Sequence, residues 1–143
     1  MHIRFSPLLA TGIRTMIPTL VVFSLYVLVV GHDVPGGGFA GGLLGSAALL
    51  LVYLAFGDRG VRRALPAEPE VIVGAGLSVA FAAGALGLLV DGAFLSSLSA
   101  STDIPVLGKV KISSVLLFDA GVYLVVVGLI ATAIVRLGGA VNR

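Results

Sequence analysis

Four long apolar runs dominate the chain, from about Leu8 to Val30, Phe39 to Phe56, Val71 to Val90 and Ser113 to Val135. A bilayer core about 30 Å thick needs roughly 20 mostly apolar residues in a helix, so the pattern predicts four transmembrane helices. Ser6 suits the N-cap of the first and Pro7 its first helical position, where the missing N–H costs nothing; Pro18 is expected to kink it. The polar interruptions fall at residues 31–38, 57–70 and 91–111, and they are short apart from the last. The last contains Ile104 to Ile112, apolar and polar in partial alternation around Gly108, which suits a short hairpin or a surface docking on a partner.

The first interruption is the most informative. Gly31, His32, Asp33, Val34, Pro35, Gly36, Gly37 and Gly38 cannot continue the helix before them, yet Phe39, Ala40, Gly41 and Gly42 lead straight into the next apolar run. The segment reads as a tight turn at a membrane edge. Small residues then recur at helical spacing: Gly38, Gly42 and Ser46 form one stripe of the second run, Gly41 and Gly45 another. Because lipid tails are as apolar as leucine, membrane helices pack where small residues let backbones approach, so two stripes predict two neighbours. Gly76, Ala80 and Gly84 repeat the theme in the third run, and Gly121 and Gly128 lie one heptad apart in the fourth.

Composition fixes the class. With 58% hydrophobic and 11% charged residues and a mean hydropathy of +1.15, too little polar surface exists to coat a soluble globule, and one all-α membrane domain over residues 1–143 is expected. The net charge of +2 rests on few ionisable groups and gives no reason to expect nucleic acid. Placement matters more. Arg4 and Arg14 flank the start of the first run, Arg59, Arg62 and Arg63 lie between the second and third, and Arg136 and Arg143 follow the fourth. Positive residues are retained on the cytoplasmic side, so both termini are expected there. The first run exceeds a signal-peptide core and is followed by proline and glycines in place of a small-x-small cleavage site, so it is expected to stay. Glu68 and Glu70 sit where the third helix begins, suited to its N-terminal dipole and to the nearby arginines.

Familiar chemical motifs fail on context. Gly36-x-Gly38-x-x-Gly41 matches the dinucleotide fingerprint in spacing, but that fingerprint needs a preceding strand in a βαβ unit. A phosphate loop would need a lysine and a serine or threonine at its end. His32 and Asp33 are adjacent, His2 is the other histidine, and no cysteine exists, so a metal site is not expected. Ser96, Ser97, Ser99 and Ser101 lack a histidine placed to activate them, and no enzyme constellation is expected.

Asp119 stands out because it lies inside the fourth apolar run, one to two turns from its start. An intramembrane carboxylate must be paired, hydrated or protonated. A contact to a transported ion or proton and a structural pairing are both open. Arg14 poses the same question near the opposite edge, where snorkelling to the headgroups answers it.

Gly31-His32 with Pro35-Gly36-Gly37-Gly38-Phe39 and Gly41-Gly42, together with Leu117-Phe118-Asp119-Ala120-Gly121-Val122-Tyr123 through Gly128, resembles the B subunits of Mrp-type (Mnh-type) multisubunit Na+/H+ antiporters of bacteria, and the resemblance spans nearly the whole chain. It implies a small, non-enzymatic component, without cofactor, of a complex in the bacterial inner membrane that exchanges cytoplasmic Na+ for external H+. Its partners would be other membrane subunits, including large ones resembling antiporter-like subunits of respiratory complex I, which carry the main proton pathways. Matching positions make Pro35 and Phe39 the turn residues expected to be sensitive to change. The alternative is a self-contained homo-oligomeric cation/proton transporter with Asp119 as its carrier carboxylate.

Overall fold

The computed structural model describes residues 6–31, 36–91, 99–104 and 108–141. Four helices, α1 (Pro7–Val30), α2 (Gly37–Ala64), α3 (Pro69–Asp91) and α4 (Ser114–Val141), make the fold, and an antiparallel pair, β1 (Ser99–Ile104) and β2 (Gly108–Ser113), precedes α4. All four helices are long and apolar enough to cross a membrane.

Local chemistry sets the helix ends. The Leu9 N–H donates to Ser6 Oγ at 3.3 Å, Pro7 occupies the first turn, and Pro18 lies within one unbroken α1. At the other end the Gly31 N–H donates to the Val27 carbonyl at 2.8 Å. The strands pair Ser99 with Ser113 through Ile104 with Gly108. The first strand includes Ser99 and Ser101 of the serine-rich stretch.

The second helix departs from expectation. Its apolar run suggests an end at Phe56 and a loop to Glu70, but helical structure resumes beyond Gly57 and continues to Ala64. Gly57 breaks the helix with φ 67° and ψ −164°, a conformation open essentially to glycine alone. The stretch 58–64 is held by Val61, which is fully buried in one core with Leu49, Val52, Val127, Ala131 and Val135. Burying a valine side chain stabilises by roughly 1.5–3 kcal/mol, enough to keep an otherwise polar turn helical.

The helices pack in the order α1, α2, α4, α3, as an open row with α2 and α4 in the middle. Backbone approach explains the order. A Cβ on Gly76 would lie 2.7 Å from the Gly121 carbonyl oxygen, and one on Gly121 would lie 2.6 Å from the Ala80 nitrogen, so α3 and α4 cross with no room for side chains. Gly128 meets Val73 and Pro69 in the same seam, and Gly84 is buried. The outward faces stay apolar: Leu8, Phe81 and Leu89 are each more than three-quarters exposed. Arg62, Arg63 and Arg136 gather where α2 and α4 end and the glycine turn lies at the opposite end of the helices, which gives the bundle a basic end and a glycine end.

Candidate functional site: the glycine turn on Asp119

At the glycine end α1 stops and α2 starts. His32 and Pro35 of the predicted turn lie outside the described residues; Gly36 to Gly42 lie within them. Each of three consecutive glycines is required for a different reason. Gly36 has φ 151° but open surroundings, with Ala40 and Val27 at ordinary contact distance, so its need is conformational. Gly38 has ordinary torsions but no space, since a Cβ there would land on the Asp119 carbonyl oxygen and lie 2.9 Å from the Asp119 Cα. Gly37 needs both: φ is 48°, and a Cβ would lie 2.9 Å from Asp119 Oδ2 and 3.2 Å from Oδ1. Gly31, where α1 ends, would carry a Cβ onto the Gly37 backbone.

The two features that stand out in the sequence thus meet. The Asp119 carboxylate, partly buried, sits against the first residue of α2. First-turn N–H groups of a helix have no intrahelical partner and carry the positive end of the dipole, and no side chain caps α2 at Gly36. A carboxylate placed there is electrostatically favoured, which answers how an acid is tolerated within an apolar helix.

The two stripes of α2 face different helices. Gly38 and Gly42 press on α4, at Asp119 and Val126, while Gly41 presses on α1, at the Ser24 carbonyl and the Leu28 nitrogen. Gly45 lies under both, with a Cβ position 2.8 Å from Tyr123 Oη and 3.1 Å from Ser24 Oγ. Phe39 is 59% exposed and takes no part in this chain's own core.

Ser24 belongs to no motif in the sequence and Tyr123 is singled out in none, yet the two link three helices. Ser24 Oγ donates to the Gly41 carbonyl at 2.7 Å and lies 2.8 Å from Tyr123 Oη. A serine hydroxyl has one proton, and a carbonyl can only accept, so Tyr123 is the donor to Ser24. The relay from α4 to α1 to α2 locks the helices just below the turn. Its signal was available: Ser24 and Tyr123 are polar residues inside apolar runs, and each needs a partner in the membrane.

At the basic end Arg62 pairs with Glu68 at 3.0 Å, and Arg136 donates to Glu70 through Nε and Nη2 at 3.2 and 2.8 Å, tying α4 to the start of α3. Among the described residues no group of three or more His, Cys, Asp or Glu side chains could hold a metal ion.

Four apolar helices joined by backbone-tight seams define a multi-pass integral membrane protein. The chain belongs to the family described as "Domain related to MnhB subunit of Na+/H+ antiporter", whose pattern it matches over residues 8–132. It is 39% identical over 130 residues to the B subunit of the Na(+)/H(+) antiporter of Alkalihalophilus pseudofirmus, covering 91% of this chain and 90% of that protein. It is 37% identical over 131 residues to the protein of the same name from Bacillus subtilis, covering 92% of each.

Proposed function

We propose that this chain is a non-enzymatic subunit of a multisubunit Na+/H+ antiporter in a bacterial inner membrane, within a complex that exchanges cytoplasmic Na+ for external H+. Its basic end would face the cytoplasm, following the arginines. Its main task is to present a rigid turn to neighbouring subunits, the large complex I-like ones among them. The observation that carries this reading is the Asp119 carboxylate lying on Gly37 at the N-terminus of α2. That placement makes Asp119 the anchor of the turn, with Phe39 as the outward contact. No cofactor is invoked, and the ions are cargo of the whole complex.

Asp119→Asn and Asp119→Ala in the assembled complex test it. Asparagine keeps the volume and an accepting oxygen, so the complex should form and exchange should persist at reduced rate. Alanine leaves the end of α2 without its acceptor, and assembly should fail together with exchange. An Asp119→Asn complex that assembles fully but exchanges no Na+ for H+ would make Asp119 an ion or proton carrier and overturn the anchoring role.

A further inference from the structure

The helical stretch 58–64 carries two arginines that have no ion-pair partner among the described residues. Arg59 and Arg63 are exposed and make no ion pair there, whereas Arg62 and Arg136 are matched to Glu68 and Glu70. The one acid of this stretch is turned away: Asp58 Oδ1 is buried, 2.8 Å from where a Gly138 Cβ would be. Spacing of four residues puts Arg59 and Arg63 on one helix face, with Cβ atoms about 5–6 Å apart. Val61, two residues from each, points to the opposite side and is fixed in the core.

Their depth is set by what precedes them. Leu54 and Phe56 are about half exposed, continuing the apolar outer surface up to Gly57. The break at Gly57 then turns the chain, so the arginines begin where the apolar surface stops. A guanidinium pair at that level matches a phosphate in geometry and charge, each fork offering two parallel N–H donors. Clusters of basic residues beside a membrane helix are attracted to anionic lipid. An acid from a neighbouring subunit would equally neutralise the charge, and separate measurements of lipid retention and of retention in the complex distinguish the two.

We propose that Arg59 and Arg63 clamp the headgroup phosphate of one anionic phospholipid in the leaflet at the basic end, at an angle set by Gly57. The full chain, reconstituted in nanodiscs of phosphatidylcholine doped with phosphatidylglycerol, should retain phosphatidylglycerol through native mass spectrometry. Arg59→Gln with Arg63→Gln should weaken the preference for phosphatidylglycerol over phosphatidylcholine by about 30-fold, while Arg62→Gln, whose side chain is engaged by Glu68, should leave it nearly unchanged. If the double glutamine variant does not fold, Arg59→Lys with Arg63→Lys keeps the charge and loses the forks, and should retain an intermediate preference. Equal retention in the wild type and either double variant overturns the clamp. So does loss of the chain from the assembled complex at unchanged lipid retention, which would assign the pair to a partner's carboxylate.

Discussion

The relay Tyr123 to Ser24 to Gly41 makes an asymmetric prediction. Tyr123→Phe deletes one donor and leaves Ser24 bonded to the Gly41 carbonyl, so it should cost only a typical intramembrane hydrogen bond, about 0.6 kcal/mol and at most about 1.7. Ser24→Ala deletes both bonds and strands the Tyr123 O–H against Gly45 with no acceptor, a loss of about 1–3 kcal/mol. The double variant removes the stranded donor as well, so it should be less destabilised than Ser24→Ala alone. The chain has no cysteine, which gives a clean assay. A cysteine at the fully buried Ala131 reports opening of the α2–α4 core through its thiol-labelling rate during an SDS titration. At matched detergent, Ser24→Ala should speed labelling by about 5- to 150-fold and Tyr123→Phe by roughly threefold. Additive costs, or a Tyr123→Phe effect exceeding that of Ser24→Ala, would refute the assigned direction of the relay.

The turn glycines separate into strain and space. Gly36→Ala has room but an unsuitable φ and should cost about 1–3 kcal/mol, whereas Gly38→Ala drives a methyl onto the Asp119 carbonyl and should release α2 from α4, read as loss of the chain from the purified complex. Gly57→Ala meets no atom within 4 Å, so its cost is backbone strain alone, about 1–3 kcal/mol. Limited trypsin cleavage at Arg59, Arg62 and Arg63 should accelerate in that variant. Gly74→Ala, equally open but with ordinary helical torsions, is the control and should be neutral or stabilising by up to about 1 kcal/mol.

Apolar run length and glycine spacing carried most of the fold because the bilayer imposes both. A helix must be long enough to cross, and it can approach another only where side chains are small. Gly38 with Gly42 and Gly41 with Gly45 could be read as two seams, and they face α4 and α1. What the pattern could not supply was depth along the third dimension. Nothing in the composition of residues 58–64 marks a helix, because its stability comes from Val61 reaching a core that Val127, Ala131 and Val135 of α4 complete from far away in sequence. The pairing of Asp119 with the turn was hidden for the same reason: 81 positions separate Gly38 from Asp119, and only the crossing of α2 and α4 brings them together. Ser24 is one more small residue until Tyr123 is placed beside it.

The order of the helices bears on which of two functional readings is preferred. A chain that carries ions by itself must surround a path, and a path needs walls on every side. In an open row, α1 and α3 occupy opposite ends and each packs chiefly on one neighbour, while the most apolar stretch of α1 has only 11% of its residues buried. Asp119 lies on α4 near the glycine end of the helices, with its carboxylate against the start of α2. Any path beside it would need its remaining walls from other chains. Exposed Phe39 at the turn and the uncovered face of α1 provide surfaces for those chains, so the geometry favours a component held among other subunits over a transporter complete in itself.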